Sequence, residues 1–432
     1  MTEFTGTLSG ARDDAPGRFG ARRTARRITA GFTLVELMVA LTLGMLLTTA
    51  MAYVYLSSRT AFARQQQLSS LQDSVRIAFE NISTDTRTVG HMGCYTGLPV
   101  EAAATGFSNP LAATDIATNF AVGVEGYEYA NATAGAYTLT SSAPANSSTA
   151  GNWKSNVAPG TSASVPIARI AGAAADDGLT PGSDVLVIRG VSGRPVRLGA
   201  TANTGANQST FTIETGAGDP GVCSNNVTPK VSGFCANSYG LIASCSRARV
   251  FQVSAVAAGA APAASTISLP ATATLGNDPV YPDDASEVFP LQTVAYYVKR
   301  SSSGTSTSLY RRIFDGDHAN GLEQELVEGV ESLQLQYGVD TTLPDPDGVV
   351  DQYVVARGPT GTAADSVTDW GRVVSVRIGL LLRSTAPVEA DLASSLATSG
   401  LVNGVTMTYP GAGPKFDRRV FTTTVAVRNK TL

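Results

Sequence analysis

Residues 37–56 are twenty consecutive positions without a charged side chain, and no other feature limits the possible folds so strongly. Wound as an α-helix, such a run spans the ~30 Å hydrocarbon core of a bilayer. A single acid, Glu36, stands immediately before it. Taking a carboxylate deep into that core costs about 2.5–3.5 kcal/mol on insertion scales, so Glu36 needs a partner. Upstream lie Arg22, Arg23, Arg26 and Arg27, with no acid between Gly17 and Glu36. That excess holds the N-terminal end on the cytoplasmic side and predicts export of the remainder of the chain. Residues 1–31 are read as a targeting segment and set aside from the fold.

Basic residues, then Gly31-Phe32-Thr33-Leu34-Val35-Glu36 and a long apolar helix, resemble the class III leader of type IV prepilins and pseudopilins. The resemblance implies cleavage between Gly31 and Phe32 by a prepilin peptidase, followed by methylation of the Phe32 amine. The family's acid, fifth after the cut, falls on Glu36. In a medium of low dielectric, the cationic amine of one subunit can neutralise the carboxylate of its neighbour. An ordinary signal anchor has no need of Glu36 or a Gly-Phe junction. A secretory signal cut at Ala50-Met51-Ala52 would have an apolar region longer than the usual 7–15 residues. A buried core helix is the third alternative.

Without residues 1–31, about 400 residues remain, enough for one large domain or two smaller ones. The net charge of -4 gives no electrostatic case for nucleic acid as a partner. Only 15% of residues are charged and 43 are glycine, which suits an exported, β-rich and loop-rich protein.

The helical pattern continues beyond the apolar run. Leu68, Leu71, Val75, Ala78, Phe79 and Ile82 recur at three- and four-residue spacing, giving an apolar stripe suited to packing on a head. Many major pilins have a proline in the apolar half; this chain has none from Phe32 to Val89, and Gly44 is the only glycine there. Gly90 and Gly93 supply a stop. The predicted fold is α+β and pilin-like. It has a helix over 32–90, transmembrane to about residue 56, and a β-rich head over 91–432.

Residues 100–180 are rich in Ala, Ser, Thr, Asn and Gly and read as loops and short strands inserted on the surface of that head. Strand signals then return in Asp184-Val185-Leu186-Val187-Ile188-Arg189 and Ala248-Arg249-Val250-Phe251-Gln252-Val253. Later come Val294-Ala295-Tyr296-Tyr297-Val298 and Leu309-Tyr310-Arg311-Arg312, a hairpin across residues 301–308, and a short segment from Glu325 leading into a strand that ends near Gly338. Strands around residues 373–384 and 418–429 close the chain. This order, with Gly93-Cys94 after the helix, resembles the PilW family of minor pilins. The resemblance covers residues 22–100 and roughly 184–190, 241–256 and 288–432.

That resemblance implies a non-enzymatic subunit. It joins other minor pilins and the major pilin, primes pilus assembly at the inner membrane of a Gram-negative bacterium with its head in the periplasm, and stays at the pilus tip. The filament serves twitching motility, adhesion or DNA uptake. A pseudopilin of a type II secretion system shares the leader, and a tip adhesin binding a surface ligand through its head is the remaining reading.

Cys94, Cys223, Cys235 and Cys245 all follow the membrane segment, where an oxidising compartment favours disulfides. Four cysteines allow three connectivities. Cys94 with Cys245 and Cys223 with Cys235 is the preferred one, the first tying the helix end to a strand. Spacings other than C-x2-C, and only His91 and His318 as imidazoles, argue against zinc. Asp340, Asp345, Asp347 and Asp351 place four carboxylates in one loop, a set that suits calcium. Pro344 and Pro346 and the missing final glutamate depart from an EF-hand, and a solvated Asp-Pro-Asp-Gly turn ranks slightly ahead. No other cofactor is implied. The chain lacks a Walker loop and an H-E-x-x-H, and His91 and His318 read as surface or packing residues.

Overall fold

The computed structural model describes residues 31–95, 106–111, 114–129, 135–141, 144–158, 161–172, 178–199, 208–214, 222–225, 230–259, 265–271, 274–275, 281, 285–344, 346–388 and 396–427. The expectations for residues 1–30 and for Asp345 lie outside these. Two units divide between Arg64 and Gln65, within a helix that runs Leu34–Arg87.

In the first unit the apolar side chains of the helix, Leu37, Leu41, Met45 and Tyr55 among them, are exposed. The helix is long and apolar enough to cross a membrane.

From Gln65 onward the helix has one buried face. Leu71, Val75, Ala78 and Ile82 enter a cluster that also holds Leu186, Ile188, Tyr296, Leu333, Leu335 and Ile378. Their spacing of four, three and four keeps them on one face of a 3.6-residue helix. Leu68 differs from the expected stripe, being 39% exposed. The covered face starts one turn later, at Leu71. The chain then turns at Gly90 and Gly93, both in the left-handed region at φ 71° and 64°. A Cβ on Gly93 would sit 3.0 Å from the Phe289 ring, so this turn needs glycine for space as well as for backbone conformation.

The head is built on two sheets. The larger has eleven strands among the described residues, and its centre is the long strand Glu287–Arg300. On one side, the first half of that strand pairs with Tyr239–Ser244 and the second half with Thr307–Phe314. On the other side it pairs with Val185–Val191, which in turn pairs with Val124–Tyr129. The second sheet runs Gln352–Val354, Val330–Val339, Val373–Arg383, Arg418–Ala426, antiparallel throughout. The fold is α+β: a long N-terminal helix and a large β-rich head.

Two departures from the sequence reading have physical causes. The segment from Glu325 is part of a full strand, Leu322–Glu328, in the large sheet, and Val330–Val339 belongs to the other. Gly329, at φ 90°, makes the switch. The region read as a surface insertion also contributes buried structure. Val124–Tyr129 lies inside the large sheet, Trp153 is fully buried, and the Trp370 indole N–H donates to the carbonyl of Asn156 at 2.6 Å. Gly126 is small because Tyr337 occupies the place of its Cβ, and Glu125 is paired with buried Arg189 at 2.8 Å.

Candidate functional site

Phe32 and Glu36 stand at the entry to the apolar helix. The Thr33 N–H and hydroxyl each donate to Glu36 Oε2 at 3.0 Å, and the Glu36 N–H donates back to Thr33 Oγ1 at 3.2 Å. This reciprocal arrangement is a capping box, which satisfies donors that a helix start leaves unpaired. It engages the Glu36 carboxylate at the start of the apolar helix. Sequence reasoning passed over Thr33, although the Thr-x-x-Glu spacing ahead of an apolar run is the signal for it. Phe32 is exposed, and nothing lies within 4 Å of the Cβ position of Gly31.

Further along the chain, the helix end is tied to the head by charge and by covalent bonding. Asp85, in the last helical turn, accepts from the Tyr296 hydroxyl at 2.5 Å and from Arg311 Nη2 at 3.1 Å. Burial pushes its carboxyl above the usual range, and Tyr296 and Arg311 pull it back. Cys94, beyond Gly93, is bonded to Cys245 in the turn between Tyr239–Ser244 and Arg247–Gln252, closing a separation of 151 residues. Cys223 is bonded to Cys235 across 12. At the far end of the chain, buried Arg418 grips Glu331 with two bonds of 2.6 and 2.9 Å. These bonds span the intervening strand Val373–Arg383.

The described aspartates of the 340–351 loop, Asp340, Asp347 and Asp351, are occupied by neighbouring backbone donors. Asp340 is fully buried and accepts from Thr342 N–H at 3.0 Å and Gly348 N–H at 2.7 Å. Asp347 accepts from Val349 N–H at 2.9 Å, and Asp351 from the Thr341 N–H and hydroxyl at 2.7 and 2.8 Å. The Thr341 bonds hold Asp351 below the ordinary carboxylate range. Among the described residues, the carboxylates of Asp340, Asp347 and Asp351 do not come together within 4.8 Å.

His91 lies edge-on to Phe289, with ring centres 5.6 Å apart. The His318 imidazole contacts Asp315 at 3.0 Å. Asp317 beside it accepts from the Ser224 N–H and hydroxyl at 2.8 and 2.9 Å. Among the described residues neither imidazole is bonded to a hydroxyl, the first contact a nucleophilic triad requires.

Two family models match the chain. The type IV pilus-assembly protein W model matches residues 295–429, which take in the second half of the central strand and the whole four-stranded sheet. The prokaryotic N-terminal methylation motif matches residues 26–52, with Gly31, Phe32 and Glu36 inside it. No curated protein matches the chain. No solved structure matches it either.

Proposed function

The chain is a type IV prepilin resembling PilW, a minor pilin of the type IV pilus, and from that premise we propose that it helps initiate pilus assembly at the inner membrane and remains at the filament tip. Prepilin peptidase removes residues 1–31, and the new Phe32 amine is methylated. The apolar helix holds the subunit in the membrane with its head in the periplasm of a Gram-negative bacterium. During assembly, Glu36 pairs with the Phe32 amine of a neighbouring pilin and the helix passes into the filament core. The head plays no catalytic part; its bulk restricts where the subunit fits and keeps its copy number low. The filament so primed serves twitching motility, adhesion or DNA uptake.

The observation that carries this reading is the capping box at the start of an uncovered apolar helix. Glu36 already accepts two bonds from Thr33, so transfer to a partner's amine exchanges one set of donors for another. The carboxylate is not left bare in low dielectric, where an unpaired charge costs several kcal/mol. A type II secretion pseudopilin shares this end of the molecule, but the match over residues 295–429 favours the pilus.

The test is Glu36→Leu in the native host. The variant protein should accumulate in the inner membrane, vanish from sheared filaments, and lower pilus number. Sheared pili carrying Glu36→Leu at the level of the unaltered protein would overturn the docking role.

A further inference from the structure

A cavity of about 560 Å³ opens between the inserted region and the block matched over residues 295–429. One wall comes from the antiparallel pair Val124–Tyr129 and Trp153–Ala158, which sets Glu128 opposite Lys154. Tyr129 and Tyr137 meet edge to face on this wall, centroids 5.5 Å apart. Gly182, at φ 80°, lets Tyr137 lie directly against the backbone, since a Cβ there would sit 2.3 Å from the ring. The opposite wall carries Gln336 and Asn403, locked together by Gln336 Nε2 donating to the Asn403 carbonyl at 3.1 Å and Asn403 Nδ2 to the Gln334 carbonyl at 2.8 Å. The walls are set before any ligand arrives.

Two polar groups at the cavity remain unused. Glu128 Oε2 is shut from solvent without a hydrogen-bond partner, and the Lys154 ammonium has no partner among the described residues. Asp184, behind Glu128, accepts from Tyr129 N–H at 3.1 Å and Leu335 N–H at 2.9 Å. Those donors favour charge on Asp184, but burial outweighs them and lifts its carboxyl to about 7. Burial and the neighbouring Asp184 carboxyl push the Glu128 carboxyl well above the usual range. A divalent cation would meet the Lys154 ammonium and the Arg357 guanidinium. An anion would meet the Asp365 carboxylate, which also lines the cavity and is held at about 2. A neutral ring with many hydroxyls suits both, because each hydroxyl donates and accepts, and its C–H faces rest on tyrosine.

We propose that this cavity is a saccharide-binding site, with Tyr129 and Tyr137 as the apolar platform and Lys154 as the polar contact that orients the sugar. The volume lies within the roughly 300–1,000 Å³ of ligand pockets and takes a mono- or disaccharide. The site stands wherever the subunit sits in the filament. Only its consequence, attachment of pili to a glycan-bearing surface, rests on the pilin reading.

The experiment is saturation-transfer NMR on the mature full chain in lauryldimethylamine oxide, a detergent without a sugar headgroup. The probes are lactose, maltose, cellobiose and diacetylchitobiose. At least one should bind with a Kd of about 1 mM or tighter. Lys154→Ala and Tyr137→Ala should each weaken it by about tenfold or more. Because Lys154 has no partner to lose, its variant tests binding without a risk to folding. Absence of transfer to all four sugars, or equal binding by Lys154→Ala and Tyr137→Ala, overturns the site. If the purified protein binds but pili carrying Lys154→Ala attach to the same glycan undiminished, the site stands and the tip placement fails.

Discussion

The tie between the helix end and the large sheet offers a measurement worked directly from the structure. An acid in the last turn of a helix is unfavourable locally, because the carbonyl end of the helix dipole is negative. Asp85 is therefore held there by its tertiary partners. Tyr296 is wholly buried, while the side chains of Arg311 and Asp85 are 18% and 11% exposed. The solvent left around Arg311 screens the ion pair, and the Tyr296 bond to a charged acceptor becomes the larger share. Such a bond contributes about 1.5–3 kcal/mol. Tyr296→Phe should cost about 2 kcal/mol, Arg311→Met about 1 kcal/mol, and Asp85→Ala about 3 kcal/mol, since it orphans both partners. At about 2.1 cal/mol/K per residue, a head of about 370 residues loses about 2–3 °C of Tm for the Tyr296 change. The assay is urea unfolding of the full chain followed by tryptophan fluorescence, because both tryptophans, Trp153 and Trp370, are buried in the head. The double variant Asp85→Ala with Tyr296→Phe should cost little more than Asp85→Ala alone, a coupling of about 2 kcal/mol. Strict additivity, or a Tyr296→Phe cost below about 0.5 kcal/mol, would refute the idea that this bond holds the helix end.

Other outcomes come from the same structure. Replacing Cys94 and Cys245 by serine should destabilise the head by about 5 kcal/mol in the chain-entropy treatment and replacing Cys223 and Cys235 by about 3 kcal/mol, because the closed separations are 151 and 12 residues; equal losses in urea titrations would contradict this. Asp184 is lifted by burial to about 7 and Glu128 is raised beside it. Their contribution to stability is whole below the unfolded carboxylate range and is lost as pH rises through about 7, so Tm should climb from pH 8.5 to about 5.5. Glu128→Gln should flatten that slope, and an unchanged slope counts against the pair. Below about pH 4 the sign reverses, since Asp365, held at about 2 by bonds from Thr360, Thr362 and Ser366, loses its contribution on protonation. Millimolar calcium should leave Tm unmoved, because Asp340 and Asp351 are spent on backbone donors; a rise of several degrees would establish a calcium site in that loop.

The helix and the later strands were legible because each carries a period. Leu71, Val75, Ala78 and Ile82 follow the helical repeat, and the hairpin through Tyr296 and Tyr310 is rich in β-branched and aromatic residues on either side of a polar turn. Leu68 fits the same period but is exposed, since periodicity marks a face and not how far its cover extends. Val124–Tyr129 escaped notice for a different reason. It reads Val-Glu-Gly-Tyr-Glu-Tyr, and its acids and glycine suggest a loop until Arg189, Asp184 and Tyr337 are seen around it. Long-range partners of that kind leave no local spacing to read. The saccharide cavity has the same origin, because its walls come from residues far apart in sequence. Thr33 is the opposite case, a local signal that was present and overlooked.

Processing at Gly31-Phe32 underlies every role proposed for Glu36, and the mass of the N-terminal peptide of the protein purified from its host measures that directly. A peptide beginning with N-methylated Phe32 is the predicted result. One beginning at Tyr53, after Ala50-Met51-Ala52, would mean ordinary signal cleavage with loss of Glu36 and the apolar helix, and would contradict docking through that pair.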